Sequence, residues 1–155
     1  MANIYAKILR DGKVKLTEMF DRNFTEQGFF GKKWQPTKAS KINRLGQHGS
    51  ILIVTGQMRR SIRSYIRGNG IVFSSNLPYT ALHNEGGTYT VSVRAHQRTS
   101  RNGKPYTVRS HNRTMHMPQR QFIGEHSRVQ QALGDVVAKN LQQFSEQLAK
   151  NFNMK

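Results

Sequence analysis

The sequence predicts an α+β fold, an antiparallel sheet with a long basic β-hairpin, packed by an N-terminal and a C-terminal helix. Apolar residues recur at helical spacing near both ends of the chain, and alternating strand patterns separated by glycine-rich turns lie between them. The length of 155 residues suits a single domain over residues 1–155. With 35% apolar residues and no cysteine, the chain can form one modest core but neither disulfides nor thiolate zinc sites.

Both terminal helices are predicted from apolar stripes. The first helical region covers residues 4–27, with a stripe formed by Leu16, Met19, Phe20 and Phe24. Gly12, after Asp11 as a candidate cap, could interrupt or start this helix, and Gly28 is expected to end it. The last helix is expected over residues 127–151 with Ser127 as its cap, and its stripe is formed by Val129, Leu133, Val136 or Val137, Leu141, Phe144 and Leu148. We expect both stripes to face the core.

Residues 29–50 are polar, basic and rich in glycine, serine and lysine. This composition predicts a basic loop in which Trp34, the single tryptophan, closes the edge of the core. Because structureless loops of this length are uncommon in compact domains, we expect a functional segment or one that a partner orders.

A first hairpin follows a short helical turn. Thr55-Gly56 is expected to begin that turn, with Thr55 as its cap, and it runs to Arg60. Strands over 61–67 and 71–75 then flank a turn of two glycines and an asparagine.

A second short helix is predicted over residues 78–85. Proline suits a first helical turn, and Gly86-Gly87 ends the segment. Tyr79 and Leu82 are expected to face the core together.

The most distinctive predicted element is a hairpin arm over residues 88–116. Residues 88–96 and 106–110 alternate in polarity, and Asn102-Gly103 between them is a strong hairpin signal. Six basic residues lie on or near the arm: Arg94, Arg98, Arg101, Lys104, Arg109 and Arg113. A basic ribbon can enter a nucleic-acid groove, and alone it is marginally stable in water. We therefore predict a polyanion contact or an inter-subunit arm rather than a solvated hairpin.

Catalytic chemistry is poorly supported. His96 and His111 could face one another across the arm and bind zinc, but the nearby arginines would repel the cation. The segment from His111 to His116 superficially resembles an HNH nuclease, yet no carboxylate lies between Glu85 and Glu125 to hold a divalent ion. Phosphate-loop and nucleophile-elbow patterns are missing from the sequence. We expect no enzymatic activity, no metal and no cofactor.

Positive charge is concentrated in the middle of the chain. The formal net charge is +17, and between Gln27 and Gly124 the one acid is Glu85, against 16 Lys and Arg. Such a local excess repels itself unless an anionic partner offsets it. This favours nucleic acid or an acidic protein in an assembly over a generically soluble basic surface.

Four segments occur in a specific order, namely FFGKKWQP at 29–36, IVTGQMRRSI at 53–62, PYTALHNEGG at 78–87 and MPQRQFIG at 117–124. Together they resemble the phage virion morphogenesis family, the tail-completion proteins of Mu-like and P2-like tailed phages. The resemblance extends over residues 24–148. It implies sharp turns and a crossover into the last helix, and the structural residues it picks out are Trp34, Thr55, Gly56, Gly86, Gly87, Pro118, Arg120 and Phe122. In that crossover Arg120 would meet a carboxylate or carbonyls and Phe122 would enter the core.

The resemblance also implies a function. It indicates a structural neck component that is made in the bacterial host cytoplasm, completes or terminates the tail in the virion, and joins it to the DNA-filled head. Implied partners are further copies in a ring, commonly a hexamer, phage head-connector proteins, tail-tube or terminator proteins, and nearby DNA in the channel. No membrane is expected, because the longest apolar run is the four residues 51–54. The alternative is a free nucleic-acid-binding protein with salt-sensitive affinity for DNA.

Overall fold

The computed structural model describes residues 4–36, 51–53 and 55–153. Two long helices, α1 (Ile4–Glu26) and α4 (Ser127–Asn153), pack against each other. They run antiparallel, because Lys7 bonds Asn140 while Gly12 lies against Leu133. The two predicted terminal helices are confirmed.

Gly12 does not interrupt α1, contrary to the prediction. It is buried within the helix, where a Cβ atom would lie 3.2 Å from Ile71 Cδ1 and 3.3 Å from Leu133 Cδ2. A glycine here therefore allows α1 to approach its neighbours closely. The end of α1 also differs from the prediction that Gly28 ends this helix. Gln27, with a φ of 53°, leaves the helix, and Gly28 already belongs to a strand.

The cap of α4 is His126 rather than the predicted Ser127. His126 Nδ1 accepts a hydrogen bond from the Arg128 N–H at 3.1 Å, and its carbonyl oxygen accepts one from the Val129 N–H at 2.9 Å. The imidazole also stacks at 4.7 Å on the ring of Phe30. The packing of His126 on Phe30 thus favours His126 as the cap, and Ser127 becomes the first residue of the helix.

The described strands form four antiparallel two-stranded ladders: β1 (Gly28–Phe29) with β2 (Lys32–Lys33), β3 (Arg63–Arg67) with β4 (Gly70–Ser74), β5 (Gly87–Val93) with β8 (His111–Met117), and β6 (His96–Thr99) with β7 (Pro105–Val108). Two short helices, α2 (Gln57–Ser61) and α3 (Thr80–Glu85), complete the described elements. The α+β class and the first hairpin are confirmed, although these strands form separate ladders rather than one sheet. The β1–β2 ladder occupies the start of the predicted basic loop, and residues 37–50 of that loop lie outside the described residues.

Two aromatic clusters form the core. The first contains Phe24, Trp34, Met58 and Phe122, and the second contains Leu16, Phe20 and Phe29. Ile123 packs against both clusters and joins them. Tyr79 is 39% exposed, so its predicted place in the core is wrong. It lies in the turn before α3, where its ring meets that of His83 edge-on.

Candidate interaction surfaces

The predicted arm is one long hairpin built from two successive ladders. Its register runs from Gly87↔Met117 to Val93↔His111 in the first ladder, and from His96↔Val108 to Thr99↔Pro105 in the second. At about 3.3 Å per strand residue, the strand from Gly87 to Thr99 extends over at most roughly 40 Å, and the tip loop lies beyond it. Within the described residues, no helix or strand outside the arm makes more than marginal contact with it.

The two ladders are separated by similar interruptions on both strands. Each interruption has the pattern Arg-x-His, at residues 94–96 and 109–111. In each, the histidine Nδ1 lies 2.9 Å from the arginine carbonyl oxygen two residues earlier. The prediction that His96 and His111 face one another is wrong, because Val108 lies opposite His96 and Val93 lies opposite His111.

The tip of the arm is longer than the predicted two-residue turn. Residues 100–104 form a loop, in which the Ser100 N–H donates to the Lys104 carbonyl oxygen at 2.8 Å. Ser100 Oγ accepts the Lys104 N–H at 3.1 Å. Of the two turn residues, Gly103 has a positive φ of 76° and Asn102 does not. The serine side chain therefore closes the loop in place of a second residue with positive φ.

The base of the arm has one apolar and one polar face, because directly opposed residues share a face. The apolar face carries Tyr89, Val91, Val93 and Met115, with Arg113 and His111 among them. The polar face carries Thr88, Thr90, Ser92, Asn112, Thr114 and His116. Val91 is 38% exposed even though it lies at the centre of the apolar face. Tyr89, Val93 and Met115 are half-buried, so the subunit itself leaves this apolar face partly uncovered.

The six predicted basic contact residues are all exposed on this ribbon. Arg113 lies opposite Val91 and Arg98 opposite Tyr106, so both share a face with apolar side chains. Arg101 and Lys104 lie at the tip, and Arg94 and Arg109 lie in the two interruptions. The arm sequence has no acid, and the ion pairs of the described residues, Lys7–Asp11 and Arg59–Asp21, lie elsewhere. Contact of these six side chains with a polyanion stays a prediction.

The start of α2 is shaped by Gly56. Its φ of 64° places it in the left-handed region, and it precedes the first helical residue. Thr55 Oγ1 accepts a long hydrogen bond of 3.4 Å from the Gln57 N–H, while the Thr55 carbonyl oxygen accepts one from Arg60 Nη2 at 2.8 Å. The cap of α2 is therefore Gly56 rather than the predicted Thr55, which contributes more through its carbonyl than through its side chain.

Glycines also shape the base of the arm. Gly86 has a φ of 71°, and a Cβ atom there would lie 2.7 Å from the backbone nitrogen of Gln119. Gly87 follows with a φ of 139°, and Pro118 lies half-buried beside Gln119. The end of α3 therefore approaches the crossover segment, residues 117–124, too closely for any side chain.

The crossover segment is anchored by two buried side chains. Phe122 is 1% exposed, and its ring centroid lies 4.8 Å from that of Phe24. Arg120 is 3% exposed, and its guanidinium donates to the Gln35 carbonyl oxygen at 3.4 Å and to Met117 Sδ at 3.5 Å. Its hydrogen bonds therefore go to a carbonyl and a thioether rather than to a carboxylate.

Burial shifts the pKa values of two side chains in this region, Arg120 and His83. The Nε of Arg120 and the Nδ1 of His83 are buried without a hydrogen-bond partner among the described residues. Burial lowers the pKa of Arg120. Burial first, and then the charge of Arg120, lower the pKa of His83, and both favour the neutral imidazole.

Two asparagines that the sequence analysis did not single out also hold the crossover. Buried Asn23 donates from Nδ2 to the Phe122 carbonyl oxygen at 3.0 Å and accepts the Phe30 N–H at 3.2 Å. Asn84 Oδ1 accepts the N–H groups of Phe122 and Ile123. Trp34 adds a bond of 2.7 Å from Nε1 to the carbonyl oxygen of Gln121. No periodicity marks these asparagines, because their partners are distant backbone groups, although Asn84 lies within the segment PYTALHNEGG.

The second uncovered apolar surface lies on α4 and corrects the predicted core stripe. We call it the α4 stripe, formed by Val137 (38% exposed), Leu141 (51%), Leu148 (37%) and Phe152 (77%). The side of α4 that faces α1 continues instead through Val136 and Asn140, the latter 2% exposed. Because successive helical residues are rotated by about 100°, Val137 and Leu141, which follow Val136 and Asn140, face away from the core.

Neither a metal-binding cluster nor a membrane-spanning helix is found in the part of the chain that the structure describes. It contains no group of three or more His, Asp or Glu side chains that could hold a metal ion. None of its helices is long and apolar enough to cross a bilayer.

No curated protein and no solved structure gives a significant match to the chain. The profile of the phage virion morphogenesis family matches residues 6–142. That match spans α1, the crossover segment, the arm and more than half of α4. It covers most of the sequence, and the chain therefore belongs to the phage virion morphogenesis family.

Proposed function

We propose that the protein is a structural component of the phage neck, where an oligomeric ring of this chain completes or terminates the tail and joins it to the head. Family membership indicates a role in virion morphogenesis, association with the virion, and a structural rather than catalytic role. The finer assignment rests on one observation, the arm, whose apolar face its own subunit leaves partly uncovered.

An isolated two-stranded ribbon is marginally stable in water. The arm gains apolar burial when the face around Val91 meets a partner surface. The α4 stripe is a chemically suitable partner, because it is apolar and exposed, with Leu141 at 51% and Phe152 at 77%. We therefore propose that the arm of one subunit covers the α4 stripe of the next.

This contact joins two different surfaces and is therefore heterologous. Head-to-tail contacts of this kind close into rings when the rotation between neighbours allows it. A hexamer is the proposed closed form. The charge of +17 per subunit adds a requirement for anionic surroundings, because six copies repel one another at low salt. Head-connector and tail-tube or terminator proteins, with DNA in the channel, are the proposed neighbours.

The test of the arm compares opposite faces of one strand. Val91→Asp places a charge on the apolar face, whereas Thr90→Asp places the same charge on the polar face. Light scattering after size exclusion and electron microscopy, with and without purified tails, should show rings for the wild type and for Thr90→Asp. Val91→Asp should stay monomeric. Monomers of the wild type under all of these conditions, or rings of Val91→Asp, would contradict the proposal.

The partner surface is tested in the same way on α4. Leu141→Asp charges the α4 stripe, and Gln142→Asp places the same charge on another exposed side of that helix, rotated by about 100° from Leu141. We expect Leu141→Asp alone to prevent assembly. When Leu141→Asp is mixed with an excess of Val91→Asp, mixed dimers should still form. The Leu141→Asp subunit has an intact arm, and the Val91→Asp subunit has an intact α4 stripe that this arm can cover. Failure to form these mixed dimers would show that the arm and the stripe do not meet.

A further inference from the structure

A basic cleft lies between α2 and the β3–β4 hairpin, away from the arm strands. It has a volume of about 460 Å³ and is lined by Arg60, Arg63 and the neutral polar residues Gln57, Ser61, Ser74 and Asn76. Its described lining contains no acid. Two guanidinium groups surrounded by hydroxyl and amide groups match the requirements of a phosphate group.

The arginines of the cleft are available for a ligand. Arg59, next to them in the chain, forms a bidentate ion pair with Asp21, which raises the pKa of Arg59. Arg60 instead donates from Nη2 to the Thr55 carbonyl oxygen at 2.8 Å, which positions its guanidinium without neutralising it. Among the described residues, neither Arg60 nor Arg63 lies within ion-pair distance of a carboxylate.

The basic surface of the cleft continues along the outer face of β3, because Arg63 belongs to both. Arg63, Tyr65 and Arg67 alternate on this face, and the residues opposite them on β4 are Ser74, Val72 and Gly70. The inner face is held by α1, because Thr17 Oγ1 donates to Ser64 Oγ at 2.9 Å. This contact keeps the outer face turned outward. Neighbouring positions on the face lie about 6.6 Å apart.

We propose that this cleft and the outer face of β3 bind the phosphodiester backbone of DNA. Arg60, Arg63 and Arg67 contact phosphates, and Tyr65, which is 41% exposed, offers its ring to a base. Two arginines about 13 Å apart on one strand, with an aromatic ring between them and Arg60 in the adjoining cleft, fit a repeating anion better than a single free phosphate. The site is independent of the arm and of the proposed ring contact, so either proposal can fail alone.

The test measures the salt dependence of DNA binding by fluorescence anisotropy with a short labelled duplex. The triple variant Arg60→Gln/Arg63→Gln/Arg67→Gln loses three charges of the site. The matched control Arg10→Gln/Arg22→Gln/Arg128→Gln loses three exposed arginines of α1 and α4. Since each phosphate contact contributes about 0.9 to the slope of log affinity against log salt, the first variant should flatten the slope by roughly 2.7. The control should leave it nearly unchanged.

An unchanged slope in the first variant, or the same change in the control, overturns the proposal. The double variant Arg63→Gln/Arg67→Gln keeps the Arg60–Thr55 bond and serves if the triple variant unfolds; it should flatten the slope by roughly 1.8. Displacement of the duplex by inorganic phosphate at matched ionic strength would show a free-phosphate site instead and would also overturn the proposal.

Tyr65 distinguishes single-stranded from duplex DNA. Because stacking on an aromatic ring requires an unpaired base, Tyr65→Ala should weaken binding of a labelled single strand about tenfold and that of the duplex little. Tyr106→Ala on the arm, which removes a ring that is 47% exposed, is the matched control. Equal single-strand affinity of the two variants would overturn the role of Tyr65.

Discussion

The side-chain oxygen of Asn84 accepts the backbone N–H of Phe122 at 3.0 Å and that of the next residue, Ile123, at 3.1 Å. One short helix, α3, therefore determines how the chain leaves the arm and enters the core. Phe122 can remain 1% exposed only if its own backbone groups are paired. Asn84 pairs its N–H, and Asn23 pairs its carbonyl oxygen at 3.0 Å.

Replacing Asn84 should test this relationship directly. Asn84→Ala leaves two N–H groups without an acceptor and should lower the free energy of unfolding by about 2 kcal/mol. Asn84→Asp keeps an acceptor oxygen and should lower it by less. Urea denaturation followed by Trp34 fluorescence measures both. The exposed arm variant Asn112→Ala is the control, with an expected change within about 0.5 kcal/mol. A loss for Asn84→Ala no larger than that of the control would contradict the role of Asn84.

The elements that local patterns determine could be predicted from the sequence. The stripe of Leu16, Phe20 and Phe24 determines α1, and the glycines around Asn69 determine the first hairpin. Caps and turn details could not be predicted, because competing partners decide them. His126 replaces Ser127 as a cap since its ring also packs on Phe30.

The limits of prediction are clearest on α4. Val136 and Val137 are alike in sequence, and helical spacing permits either of them to face the core. The structure selects Val136 because buried Asn140, one turn later, bonds the Val136 carbonyl oxygen and Asp11 of α1. The polar residue Asn140 thus sets the rotation of α4. The spacing of apolar residues carries no information about such a polar contact.

Gly86 should be intolerant of any side chain. Gly86→Ala combines a φ of 71° with a Cβ atom 2.7 Å from the backbone nitrogen of Gln119, which cannot rotate away. Gly68→Ala, at a φ of 57° with nothing within 4 Å, carries the conformational cost alone, about 1 kcal/mol. In urea denaturation we expect Gly86→Ala to lower the free energy of unfolding at least twice as much as Gly68→Ala does. Equal losses would show that the crossover segment can shift to relieve the contact.

His83 should make stability depend on pH below neutrality. Its folded pKa is lowered from 6.5 by burial and by Arg120, so as pH falls below about 6.5 the unfolded chain binds a proton that the folded chain does not. The free energy of unfolding should therefore fall as pH decreases below about 6.5. Above that pH the imidazole is neutral in both the folded and the unfolded chain, so stability no longer depends on pH through His83. His83→Gln should reduce this decline between about pH 7 and pH 5, whereas the exposed arm variant Gln97→Ala, which removes no titratable group, should leave it unchanged. An unchanged decline in His83→Gln would show that other groups cause it.

The arm should be dispensable for folding, because no described helix or strand outside it packs on it more than marginally. Val93 and His111 are directly opposed, so residues 94–110 can be replaced by Asn-Gly, which closes the shortened hairpin with a two-residue turn. The free energy of unfolding, followed through buried Trp34, should change by less than about 0.5 kcal/mol. A loss above about 2 kcal/mol would mean that the far part of the arm supports the core. Since Val91 and its apolar neighbours remain, the same variant also shows whether the base of the arm suffices for ring formation or the basic tip is needed as well.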